Sequence, residues 1–173
     1  ERYPHSDSDD HIETADGAEL WFHKMETPEC NDQLVWSDKG HPDRFYSASV
    51  TKDGGWLVVG VREGTSSNNA ILVKGPSENR LHWLIPTFDA SFELIGGLGN
   101  KLWFKTDKNA PRGKILSVDL SEESPTWEVI IPQQDEILRR ADVVGGKITT
   151  TWLQDASTQA AVYSLSGEKL FNV

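Results

Sequence analysis

Residues 53–60 read DGGWLVVG. Asp and Gly supply the positive φ that a tight hairpin turn requires, and the aromatic and β-branched run behind them suits a pleated strand. The unit returns twice. Gly99-Asn100 precedes LWFK, and Gly145-Gly146 precedes ITTT, so the strand starts Trp56, Leu102 and Ile148 are spaced by 46 and again by 46 residues. A second marker agrees: HWLIP (82–86) and WEVIIP (127–132) set Trp83 and Trp127 44 residues apart, each followed by an Ile-Pro. A period of about 40 to 50 residues filled by four short strands is the arithmetic of a β-propeller blade.

The rest of the chain fills in this pattern. Short runs rich in β-branched and aromatic residues stand at 19–25, 33–36, 45–51, 56–61, 70–74, 82–86 and 91–95, and again at 101–106, 114–120, 127–132, 147–153 and 160–165. Gly, Pro, Asn, Asp or Ser bounds most of them, and Ser166-Gly167 precedes a last strand. DEILRRADV (135–143) is ambiguous, because Ile137, Leu138 and Ala141 would share a helical face, while a strand or single turn fits equally. Residues 1–18 are polar and acidic without periodicity, and read as a loop or terminus belonging to a preceding blade. The expected fold class is all-β: residues 19–173 form an incomplete β-propeller of about three to four four-stranded antiparallel blades. Closed propellers need at least about four blades, since an open ring leaves blade faces and strand edges unpaired. The chain therefore reads as a piece of something longer, or as a half that pairs with a second copy.

Seven Trp, six Phe and three Tyr give the chain much to bury, which argues against disorder. The tryptophans lie in the expected strands, so core packing is the reading rather than sugar stacking. With 27 acidic against 17 basic residues, the overall field repels nucleic acid and anionic lipid. No apolar run reaches the ~18 residues of a membrane span. A lone cysteine, Cys30, forms no internal disulfide and fits a reducing, cytoplasmic setting. His5, His11, His23, His41 and His82 lack zinc-ligand spacing, and the acidic SDSDD (6–10) lacks the central Gly and closing Glu of a calcium loop. Neither a metal nor a cofactor is expected. No P-loop, G-x-G-x-x-G or G-x-S-x-G occurs, and IGGLGNK (95–101) reads as a hairpin turn between strands. No catalytic residue is assigned.

One local feature cuts against the acidic background. FKTDKNAPRGKIL (104–116) carries Lys105, Lys108, Arg112 and Lys114 within ten positions of a chain of formal charge −10. It reads as a strand end, a loop from Asp107 to Arg112, and the start of the next strand, with its cations either solvated or meeting an anionic group.

These stretches, taken in order, resemble the prolyl oligopeptidases, cytosolic serine peptidases that cut short peptides after proline. The similarity is to the seven-bladed propeller that caps their catalytic domain. It is carried by RYP (2–4), LWFHKMETPECNDQLVW (20–36), SASVTKDGGWLVVGVREGTSSNNAIL (47–72), LIPTFDASFELIGGLGNKLWFKTDKNAPRGKILSVDL (84–120), WEVIIPQQDEILRRADVVGGKI (127–148) and VYSLSGEKL (162–170). Met25-Glu26 and Cys30-Asn31 depart from the family pattern. The resemblance implies a substrate-gating propeller that admits short peptides over a buried active site. It implies a partner too, the α/β-hydrolase catalytic domain of the same parent chain, whose Ser, Asp and His this sequence does not contain. It also points to Lys108 as a substrate-binding cation at the end of a channel-lining strand, with Asp107 where the family carries Asn and able to neutralise it. The isolated segment is expected to self-associate through open blade edges. The alternative from another class is a stand-alone β-propeller or β-sandwich module that binds a protein or glycan.

Overall fold

The computed structural model describes Arg2 and residues 17–173. The expectations placed on RYP beyond Arg2, on SDSDD, and on His5 and His11 lie outside the described residues. Fourteen strands occur among those described, with one short 3-10 turn at Glu29–Asn31. Strands β1 (Glu19–Phe22) and β2 (Gln33–Ser37) form a two-stranded sheet, which a bridge between Arg2 and Glu19 extends.

Three four-stranded antiparallel meanders follow. Blade I holds β3 (Arg44–Val50), β4 (Leu57–Glu63), β5 (Asn69–Lys74) and β6 (His82–Ile85). Blade II holds β7 (Phe92–Leu98), β8 (Lys101–Thr106), β9 (Lys114–Asp119) and β10 (Thr126–Ile131). Blade III holds β11 (Ile137–Val144), β12 (Lys147–Gln154), β13 (Ser157–Ser164) and β14 (Lys169–Asn172). The partial sheet and three blades make the incomplete all-β propeller that the 46-residue spacing predicts.

Register confirms the repeat. In each outermost strand an aromatic residue faces an aliphatic one across the ladder: Trp36 opposite Leu20, Trp83 opposite Leu72, Trp127 opposite Val118 and Phe171 opposite Val162. The first hairpin of each blade turns at Gly54, Gly99 or Gly145, whose φ values of 73°, 58° and 56° explain the recurring glycine.

Alternation along each strand explains why several strands read as continuous apolar runs. In β5, Ile71 and Val73 pack toward blade II while Ala70 and Leu72 pack toward the partial sheet. In β8, Leu102 and Phe104 join the core shared with blade I, and Trp103 joins the core shared with blade III. Both faces of a middle blade are covered, so both parities must be apolar. Among the described residues there is accordingly no single core: three clusters lie one at each junction of successive sheets. Burying Phe104, fully enclosed at such a junction, contributes on the order of 2–3 kcal/mol.

One ambiguity is settled here and one expectation is corrected. The segment DEILRRADV contains strand β11, not a helix; a bulge between Leu138 and Arg140 shifts the alternation, so the buried Leu138 and Ala141 stand three apart. In IGGLGNK only Gly99-Asn100 forms the turn, since Gly96 and Gly97 lie within β7. They permit close approach of blades: a Cβ on Gly96 would sit 2.5 Å from Val143 Cβ, and one on Gly97 2.4 Å from Thr51 Cγ2.

Candidate functional site

Strands nearest a propeller axis are those where neighbouring blades converge. β7 packs against β11 of blade III and against β4 of blade I, which marks β3, β7 and β11 as the inner strands; β6, β10 and β14 lie at the rim. The first hairpins of the blades lie at one end of the fan. The connections between blades lie at the other, together with the β4–β5 and β8–β9 loops.

Lys108 sits at that connection end, in the β8–β9 loop. Its amide donates to Thr106 Oγ1 at 3.1 Å, and its Nζ donates to Asp89 Oδ2 at 2.9 Å. Asp89 lies in the connection from blade I to blade II and also accepts from Thr87 Oγ1 at 3.1 Å. The Lys108 hydrogen bond holds the Asp89 carboxyl below the usual aspartate range, so this carboxylate is ionised at neutral pH. Both side chains are about half exposed. Lys108 also borders a cavity of about 330 Å³ lined by Leu84, Pro86, Phe92, Leu116 and Trp127.

The strand that precedes Lys108 is the second of its blade, so the residue does not stand at the end of the innermost strand as the resemblance implies. Asp107 is not its counter-ion: Asp107 Oδ1 instead accepts the Ser91 amide at 2.8 Å. The two adjacent residues thus tie one loop to the same inter-blade connection, one by charge and one through the backbone.

The other cations of this stretch separate. Lys105 Nζ meets Glu93 Oε2 at 2.8 Å and donates to the carbonyl of Arg139 in blade III, also at 2.8 Å. It is therefore an inter-blade tie rather than a solvated charge. Arg112 lies 3.4 Å from Asp135 through its guanidinium, and its amide donates to Gln133 Oε1 at 2.9 Å. Lys114 is half-buried at the start of β9. Three of the four cations, Lys105, Lys108 and Arg112, thus each face a different acid, which explains how the apparent basic patch persists on an acidic chain.

Residues that sequence reasoning did not single out hold this end together. Asn69 is buried and grips blade II in both directions: Nδ2 donates to the Phe92 carbonyl at 3.0 Å, and Oδ1 accepts the Phe92 amide at 2.6 Å. Beside it lies a polar cavity of about 360 Å³, bordered by Ser47, Arg62, Asn69, Ser91 and Glu93. Arg44 joins Asp38 at 2.6 Å and Glu63 at 2.8 Å, and stacks on Phe88 with its guanidinium 5.0 Å from the ring centre. In sequence, Asn69 belongs to SSNNA and carries only the signature of a loop.

His23, His41 and His82 each face one carboxylate, of Asp32 at 2.7 Å, Asp38 at 3.0 Å and Glu78 at 3.3 Å. Among the described residues, none of these rings bonds a serine hydroxyl. The arrangement is suited to positioning and electrostatic recognition.

Repeating four-stranded meanders, converging at their inner strands and covered on both faces, define a segment of a β-propeller. The comparisons narrow the class. The family model for the prolyl oligopeptidase N-terminal β-propeller domain matches residues 1–173, and the chain belongs to that family. The prolyl endopeptidase of Elizabethkingia miricola is 28% identical over 154 residues, which cover 88% of this chain and 22% of that protein. The dual function macrocyclase-peptidase POPB of Galerina marginata is 28% identical over 142 residues, covering 79% and 20%. Among solved structures, a prolyl endopeptidase superimposes with a TM-score of 0.88 at 30% identity, covering 91% of this chain and 24% of that one. Prolyl oligopeptidase B of Galerina marginata, bound to a 35mer hydrolysis and macrocyclization substrate, gives 0.84 at 25% identity, with 91% and 23% covered. The chain spans about a fifth to a quarter of the length of these relatives.

Proposed function

We propose that this chain is the substrate-gating propeller portion of a serine peptidase that cleaves short peptides after proline, with chemistry supplied by an α/β-hydrolase domain of the same parent chain. The observation that carries the reading is the family match over residues 1–173 coinciding with a fan of three blades and a partial sheet, short of a closed ring. A closed propeller over an active site sorts substrates by size. An unfolded peptide threads it and a folded domain does not. The lone cysteine supports a cytoplasmic setting.

Lys108 takes part by holding the connection end in shape through Asp89, and by offering its ammonium to a peptide carboxylate or to an acidic group of the catalytic domain. The test uses the full-length product of the gene encoding this segment. It is expected to cut internally quenched peptides after proline and to leave a folded protein with exposed prolines intact. Equal cleavage of both would end the gating reading, and absence of cleavage after proline would end the peptidase reading. Hydrolysis and macrocyclisation share the acyl-enzyme and are told apart by product mass, the cyclic product lacking one water.

The segment alone exposes Val144, Leu170, Phe171 and Val173 in blade III. Expressed by itself it is expected to self-associate through such surfaces. A monodisperse monomer by light scattering would refute this.

A further inference from the structure

Strict alternation along a strand sends consecutive side chains to opposite faces, yet on β11 Arg139 and Arg140 are both exposed between the buried Leu138 and Ala141. The bulge makes this possible. Leu138 pairs with Trp152 and Arg140 with Thr151, so Arg139 is the extra residue without a partner across the ladder. Its backbone is fixed from the neighbouring blade, because Lys105 Nζ donates to the Arg139 carbonyl while its charge is taken up by Glu93. The innermost strands carry three basic residues, Arg44, Arg139 and Arg140. Arg44 is bound by Asp38 and Glu63, and Arg140 by Asp142 at 2.7 Å. Among the described residues Arg139 has no acidic partner. The described residues thus leave one guanidinium on the strand nearest the axis without an acidic partner, on a bulge that leaves it exposed and beside a neighbour that pins its backbone.

We propose that Arg139 is a specificity residue that recognises a carboxylate on the peptide passing along the inner edge, either an acidic side chain or a free C-terminus. The proposal rests on the reading of the chain as the propeller of a proline-directed peptidase. The guanidinium presents a planar fork of donors that matches a carboxylate in a bidentate pair. The charge acts on capture and orientation, so its effect falls on KM and is screened by salt.

The experiment compares the full-length peptidase with Arg139→Gln and Arg139→Lys on four proline-containing peptides of one sequence, bearing Glu or Gln at one position and a free or amidated C-terminus. For Arg139→Gln the expected result is a loss of roughly five- to tenfold in kcat/KM, carried by KM, on carboxylate-bearing peptides at low salt. The Gln-containing, amidated peptide is expected to be cut at the wild-type rate, which also reports that the variant is folded. Arg139→Lys restores part of the loss. The Glu/Gln and acid/amide arms identify which carboxylate is read. An unchanged ratio between charged and neutral peptides overturns the Arg139 proposal and leaves the peptidase reading standing. If the wild-type protein cuts none of the four, that reading fails and the proposal falls with it.

Discussion

The junction between blades I and II and that between blades II and III occupy equivalent places, 46 residues apart, but are fastened by different chemistry. At the first, side chains reach main chain: Asn69 grips both polar groups of Phe92, and Asp53 Oδ2 accepts the Gly99 amide at 2.9 Å. At the second, the place of Asn69 is taken by the buried Ile115, and main chain serves instead, the Leu138 amide donating to the Arg112 carbonyl at 2.8 Å. The place of Asp53 is taken by Gly99, which has no side chain to offer the Gly145 turn. Lys105 supplies a further tie there, to the Arg139 carbonyl, while Lys52 of blade I reaches past blade II to the Val143 carbonyl of blade III at 3.1 Å. The repeat thus preserves where neighbouring blades must be joined and leaves open which groups join them.

The difference can be broken in order of size. Asn69→Ala leaves the Phe92 amide and carbonyl buried without partners and is expected to cost about 2–4 kcal/mol in urea denaturation. A cost below about 1 kcal/mol would mean that the first junction is not held there. Gly96→Val attacks the second junction by overpacking against Val143, with an expected loss of about 1–3 kcal/mol. An unchanged melting temperature would show that β7 and β11 do not approach closely.

Acid separates the junctions without mutation. The Thr51 hydroxyl, then the Gly55 and Gly99 amides, hold the Asp53 carboxyl below the usual aspartate range. Because its folded pKa lies below its unfolded one, Asp53 contributes stability that is present above the unfolded pKa and lost as pH falls through the folded pKa. The protection factor of the Gly99 amide is therefore expected to fall below about pH 4, and Asp53→Asn to remove that dependence. The same pH response in wild type and variant would show that Asp53 is not the group responsible. Smallest is Lys108→Gln. Its pair with Asp89 is exposed, so any loss of stability should be too small to shift the denaturation midpoint measurably. A larger loss would make the residue structural; a rise in KM at unchanged stability would support a role toward substrate.

The fold was largely legible because turn chemistry and period survive in one dimension. Hairpin glycines and the strand starts at Trp56, Leu102 and Ile148 announce the blades. Legibility failed where a strand departs from alternation: Ile137, Leu138 and Ala141 imitate a helical face because the bulge at Arg139 adds one residue between buried positions. It failed again where function depends on partners far along the chain. Lys105 and Lys108 look alike in sequence, yet one reaches Glu93 and blade III while the other reaches Asp89. Only the closing of one blade on the next assigns them.

The division of each strand's side chains between two neighbours has an evolutionary corollary. A blade is an adaptor, with one parity of residues shaped to the sheet before it and the other to the sheet after it, as Leu102 and Phe104 against Trp103 show in β8. A duplicated 46-residue unit therefore arrives already carrying both mating surfaces, and the ring can lengthen without inventing a new interface. A substitution likewise has an address set by whether its position is odd or even, loosening one seam while the other stays closed.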